Sequence, residues 1–248
     1  MEQFAFDPRA AGWGLTLAHA YARKLDVVNR GFSGYNSEWS KHTLLPVLSG
    51  LPGAESEAGP GDAASGDSGT KVRLVVLFLG ANDASLKART AVALDRYVAN
   101  VHKMLLAVDA AAPSARVVVV TPPPVHPAAW ARVCLAQGKV PDRDVAHTRR
   151  YRDACIAAVD SSVVSHLRPK LRLLDSWRVF FGPDEATYDS YSMEVVDKFL
   201  CDGLHFSGLG NSSLGDALLR TISDSWPDLH PDALPAQFPP FESFSATQ

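Results

Sequence analysis

Cysteine is scarce in this chain: Cys134, Cys155 and Cys201 are the three present among 248 residues, and they lie far apart. An odd, scattered set gives no disulfide framework, and no CxxC or Cys/His spacing points to a metal site. A reduced, cytoplasmic protein is the expectation that follows. The first residues, Met1-Glu-Gln-Phe-Ala-Phe-Asp-Pro8, carry neither the basic segment nor the apolar core of a secretory signal. No apolar run approaches the roughly 20 residues a membrane helix needs, so no membrane partner is expected. An excess of one charge is also missing. The 24 Lys and Arg against 27 Asp and Glu leave a net charge of −3, which offers nucleic acid no electrostatic attraction.

What is present is ordinary for a globular chain, with 46% hydrophobic and 21% charged residues, enough for one sizeable core. A single domain over residues 1–230 is expected, followed by an irregular, proline-rich tail at 231–248. Residues 49–70 are, apart from Leu51 and Thr70, all Gly, Ala, Ser, Pro, Glu and Asp, too polar and too small to order themselves, and read as a disordered surface insert.

Either side of that insert, hydrophobic periodicity alternates between two kinds. Residues 12–25 and 37–48 read as helices, the second with Trp39, Leu44 and Leu45 inward. Between them, Asp26-Val-Val-Asn29 reads as a short strand. Residues 72–79 and 116–121 are continuous apolar runs, as in parallel strands covered on both faces. Residues 94–108 and 149–166 read as helices, the latter with Ala154, Ile156, Ala157 and Val163 toward the core. A strand at 171–175, short aromatic-rich elements at 176–201 and a helix at 211–225 complete the pattern. Strands alternating with helices predict an α/β protein with a parallel sheet wrapped on both faces.

The residues with chemistry gather where such a sheet binds ligands, at the carboxyl ends of its strands. Asp202-Gly-Leu-His205-Phe-Ser207 sets an acid three residues before a histidine, with glycine between them. A carboxylate that takes the Nδ1 proton fixes the imidazole tautomer and leaves Nε2 to act as a base. Gly34, in the turn after the 26–29 segment, offers a backbone N–H. Asn82, in Gly80-Ala-Asn-Asp83 after the 72–79 strand, offers a side-chain amide. Two donors aimed at one point are what an oxyanion hole requires. Each also has a plain structural reading, Gly34 as a turn residue with positive φ and Asn82 as a helix cap.

Taken together, Gly12-Trp13-Gly14, the block Asn29-Arg-Gly-Phe-Ser-Gly-Tyr-Asn36, the block Phe78-Leu-Gly-Ala-Asn-Asp83 and Asp202-Gly-Leu-His-Phe-Ser207 resemble the SGNH, or GDSL, hydrolases. Within that family the pattern is similar to the isoamyl acetate-hydrolysing esterases. The resemblance implies a flavodoxin-like three-layer α/β/α sandwich. It implies His205 as base, Asp202 as its partner, and Gly34 and Asn82 in the oxyanion hole. It further implies acetate-type esters of small alcohols as substrates, with no metal or organic cofactor. A homodimer stays open as the assembly.

The same resemblance leaves one part unplaced. The family's nucleophile lies in an apolar strand followed by Gly-Asp-Ser, just ahead of the segment matching Gln3-Phe-Ala-Phe6. That block is therefore expected before residue 1, over on the order of ten residues, one strand and its turn. Gly66-Asp67-Ser68 spells the motif but lies inside the polar insert with no strand before it. Ser33 and Ser37 sit nearer the rim without a better claim, and Cys201 is disfavoured as a thiolate by its neighbour Asp202. Two readings follow: a serine esterase, or a non-catalytic protein that keeps an ester pocket. Trp130, after three prolines, is a candidate pocket lid, and Phe4, Trp13, Tyr35, Trp39 and Phe206 are candidate pocket aromatics.

Overall fold

The computed structural model describes residues 5–49, 72–184, 188, 193–240 and 243. Among the described residues, three parallel strands form the sheet, in the order β1-β2-β3: β1 at Leu74–Phe78, β2 at Arg116–Val120 and β3 at Leu171–Leu174. The register pairs Val75 with Val117 and Val117 with Leu171, so the ladders run level across the sheet. Every residue of β2 after Arg116 is buried, which explains its run of four valines. β-branched side chains suit a pleated surface that must be covered on both faces.

Alternation along the strands divides the core in two. Phe78, Val118 and Val120 face one layer, with α1 (Trp13–Ala20) and α8 (Gly208–Ser225) supplying Leu17, Leu214, Leu218 and Ile222. Leu77, Val117 and Val119 face the other, against α2 (Ser37–Ser49), α3 (Leu94–Ala111) and α5 (Val145–Asp160). The shorter helices are α4 (Pro127–Ala136), α6 (Ser176–Phe181) and α7 (Met193–Phe199). Among the described residues, no helix is long and apolar enough to cross a membrane. The arrangement is the expected α/β/α sandwich.

Several sequence expectations need correction. Asp26–Asn29 is not a ladder strand; residues 25–32 run without assigned strand pairing. Strand structure requires a partner, and on this side of β1 none is present among the described residues. Residues 149–166 are not one helix: α5 ends at Asp160, and Ser161 starts a 3-10 stretch over Ser162–Lys170. The buried face of α5 is Tyr151, Arg152, Cys155, Ala158 and Val159, whereas Ala157 and Val163 are exposed. An arginine occupies the inner stripe because Asp175, at the end of β3, receives its Nε at 3.1 Å and pairs with its Nη2. That charge hid the true helix phase from a hydrophobic count. In α2, Leu45 is exposed and Leu48 buried. The 231–248 tail begins with a 3-10 turn at Pro231–Ala233, and Gln237 donates its backbone N–H to Arg23. Almost all of the 49–70 insert lies outside the described residues, including Ser68.

A groove of about 750 Å3 opens beside β1. One wall is formed by residues 72–77 with Leu79, the other by residues 25–32. Consecutive residues line both walls, so each presents a backbone edge rather than a side-chain face. Leu17, Leu44 and Leu48 close the apolar interior, and Trp13 contributes its indole, whose buried Nε1 has no acceptor among the described residues. The groove also explains why Leu74, Val75 and Val76 are half-buried where full cover was expected.

Candidate active site

Asp202 and His205 form a single compact turn. The Asp202 Oδ1 accepts the backbone N–H groups of Leu204, at 2.9 Å, and His205, at 2.7 Å. Its Oδ2 lies 2.6 Å from His205 Nδ1. Burial pushes the Asp202 carboxyl up, but the bonds from the imidazole and the two N–H groups outweigh it and hold the group below its ordinary value. The turn is closed by an antiparallel bridge between Leu200 and Phe206, and Ser207 then caps α8 through Gly210 N–H.

Gly203 makes this turn possible. Its φ is +89°, and a Cβ there would lie 2.5 Å from His126 O and 2.6 Å from Trp130 N. His126 N–H donates to Gly203 O at 2.8 Å, so the turn is clamped to the start of α4. His126 also caps that helix, its Nδ1 accepting from Ala129 N–H. The role of α4 follows from this contact. It brings the Trp130 ring edge-on to His205, with centroids 6.0 Å apart. Trp130 therefore packs beside His205 rather than standing over it as a lid, and its Nε1 is anchored on Asp142 at 2.7 Å.

The loops that carry Gly34 and Asn82 are joined to each other. Asn82 donates its amide to Tyr35 O at 2.9 Å, directly beside Gly34. The next residue, Asp83, is fully buried and accepts Ser37 N–H at 3.0 and 3.1 Å, capping α2. Burial pushes its carboxyl up to about 6 against the opposing pull of the Ser37 bonds. Gly34 is exposed with φ +76°, and nothing lies within 4 Å of where its Cβ would be. Its backbone, not its small size, is what the turn uses. Tyr35 stacks on Phe32 at 4.9 Å and meets Trp39 edge-on, whereas Trp13 and Phe206 belong to the buried core.

The remaining nucleophile candidates separate clearly. Ser37 is buried, and its hydroxyl donates to Asp83. Ser33 is exposed on the Gly34 turn. The Cys201 thiol is raised by burial and then by Asp202, which disfavours a thiolate. Among the described residues, no three His, Cys, Asp or Glu side chains cluster as metal ligands would. Sequence reading missed Asp142 and Arg143, which follow a glycine-and-proline loop without periodicity. Arg143 is buried, and its Nη2 reaches Asn82 Oδ1 at 3.3 Å.

A parallel sheet covered on both faces, with the Asp202–His205 turn and the joined Gly34 and Asn82 loops, is the α/β/α frame of this site. Residues 4–212 match the model of the GDSL-like lipase/acylhydrolase family, and the chain belongs to that family. It is 35% identical to an isoamyl acetate-hydrolyzing esterase 1 homolog of Mus musculus over 86% of this chain and 74% of the relative. A GDSL esterase/lipase of Arabidopsis thaliana is 30% identical over 93% and 85%. The fold is shared with a carbohydrate acetylesterase from Sinorhizobium meliloti, with TM-score 0.55, 17% identity and coverage of 88% and 86%. The protein is a carboxylic ester hydrolase.

Proposed function

We propose that the protein hydrolyses short-chain, acetate-type esters of small alcohols by a Ser-His-Asp mechanism. The serine is carried on an extended strand seated in the groove beside β1. The Asp202–His205 pair carries this reading: with Nδ1 bonded to the carboxylate, Nε2 is the nitrogen able to take a hydroxyl proton. The groove supports the placement of the nucleophile. Its two walls run into the turns that hold Gly34 and Asn82, so a parallel strand between them ends at the rim. Its backbone would pair both edges, and one carbonyl would meet the Trp13 indole N–H. Similarity to isoamyl acetate esterases supports the substrate class.

In this mechanism the serine oxygen attacks the ester carbonyl carbon while its proton moves to His205 Nε2. The Gly34 N–H and Asn82 amide bond the carbonyl oxygen as it gains charge. Collapse breaks the bond to the alkoxide, which leaves as alcohol with the proton from His205. Water, deprotonated by the same nitrogen, then releases the acid from the acyl-serine and restores both groups. No cofactor takes part, and the chemistry needs neither nucleic acid nor membrane. A homodimer would leave these steps unchanged.

The test is a fluorophosphonate probe on the protein purified from its own cells, with intact mass and peptide mapping. The proposal expects one adduct, on a serine after an apolar strand, and hydrolysis of p-nitrophenyl acetate. An adduct at Ser33 or Ser37 would refute this source of the nucleophile. No adduct and no turnover, with an ester still bound, would leave the second reading, a non-catalytic ester-binding protein.

A further inference from the structure

Arg143 is an unusual charge to bury. Its side chain is 4% exposed, lies between α4 and α5, and is not part of the expected catalytic set. Its Nη1 donates to the Asp142 carboxylate at 2.5 Å and to Asp142 O at 3.1 Å. Its Nη2 points to Asn82 Oδ1, and its guanidinium carbon lies 5.8 Å from the centre of the Trp130 ring. Asp142 is equally enclosed. It accepts Trp130 Nε1 at 2.7 Å and Ser85 Oγ at 2.7 Å, and its own carbonyl accepts Leu86 N–H at 3.0 Å. Ser85 and Leu86 follow Asn82 and Asp83 in the same loop, so this cluster grips the Asn82 loop from one side and the His205 neighbour Trp130 from the other.

A buried ion pair is weak evidence for stability, since apolar residues of the same volume often do as well. It requires a different explanation here. An asparagine amide has two orientations that differ by exchange of oxygen and nitrogen, and in the one adopted here Nδ2 donates one N–H to Tyr35 O and keeps the other for the rim. Tyr35 O on Nδ2 and a cation on Oδ1 select that orientation together, because a carbonyl only accepts and guanidinium can donate but never accept. The cation also polarises the amide, and a bond to a charged partner is stronger than a neutral one.

We propose that Arg143, held by Asp142, is a positioning residue that helps to lock the Asn82 amide so that the N–H not taken by Tyr35 O faces the rim, and that it strengthens this N–H as a donor to a developing oxyanion. The inference rests on the esterase reading above for its kinetic consequence, but not for its geometric one. Arg143 touches no substrate; it acts through Asn82.

The experiment has two independent readouts on the protein purified as in the probe experiment. In 15N spectra, Arg143→Met is expected to shift or exchange-broaden the Asn82 side-chain NH2 pair, with Arg143→Lys intermediate. In p-nitrophenyl acetate hydrolysis, Arg143→Met is expected to lower kcat on the order of tenfold to a hundredfold, below the full loss of an oxyanion donor, with KM nearly unchanged. In an Asn82→Ala background the same substitution is expected to cost almost nothing further, which a merely structural role would not reproduce. Unchanged Asn82 resonances, or a full additional loss in the Asn82→Ala background, overturn the proposal. If the purified protein hydrolyses no ester, the esterase reading fails and the amide resonances alone decide this one. If Arg143→Met fails to fold, Arg143→Lys carries both readouts.

Discussion

Gly203→Ala and Gly34→Ala place the same methyl group on the same kind of backbone, φ +89° and +76°. Each substitution costs about 1–2 kcal/mol for holding a side chain in the left-handed region. There the likeness ends. At Gly34 the methyl meets nothing within 4 Å. At Gly203 it lies 2.5 Å from His126 O and 2.6 Å from Trp130 N, both backbone atoms of the α4 start, with Ala129 Cβ at 2.9 Å. Relieving that overlap means moving the turn off the helix, an overpacking cost of about 1–3 kcal/mol more. For a chain of this size each kcal/mol is about 2–4 °C in Tm, so Gly203→Ala should melt roughly 2–12 °C below Gly34→Ala. Calorimetry measures the difference. Proton NMR follows the His205 Nδ1–H held by Asp202, and this signal should weaken in Gly203→Ala while persisting in Gly34→Ala. Equal melting temperatures, with the His205 signal intact in both variants, would refute the claim that the α4 contact shapes the catalytic turn.

Other expectations follow from the same contacts. Asp202→Asn should lower ester hydrolysis by about 10²–10⁴ with little change in KM, because an amide cannot hold the imidazole tautomer as the carboxylate does; steady-state kinetics checks it. Asp83 binds its proton more tightly folded than unfolded, so its contribution is complete below pH about 3.8 and is lost as pH rises through about 6. The effect is about 3 kcal/mol at most. Denaturant unfolding of Asp83→Asn across pH 4–7 should lack that decline. Asp202 works in the opposite sense, adding stability above the ordinary carboxylate range that is lost in acid. Asp175→Ala leaves the buried Arg152 guanidinium without its main partner, and chemical denaturation should report a loss of about 3–5 kcal/mol. Iodoacetamide should leave ester hydrolysis intact, since the thiol of Cys201 is raised rather than activated; a progress curve before and after treatment is sufficient.

Local pattern carried much of this protein into view. Continuous apolar runs marked β1 and β2, and the four valines of β2 suit a strand between two neighbours with both faces covered. The Asp202–His205 unit was legible because its three-residue spacing and its glycine are chemically self-contained, needing no distant partner to close. The sequence could also place Asn82 just past a strand end and Gly34 in a turn, though the strand expected before Gly34 is not one. Only the tertiary structure decided the rest. The 26–29 segment reads as a strand by composition, yet strand structure is a property of pairing, and the partner edge across the groove is not a local matter. The inner stripe of α5 contains Arg152, which a hydrophobic count rejects and which Asp175, 23 residues away, makes acceptable. Asp142 and Arg143 sit in an aperiodic loop and acquire meaning only where folding sets them against Trp130 and Asn82. Apolar periodicity reports what each element turns inward, whereas buried charges and strand edges answer to partners that the chain brings together only when folded.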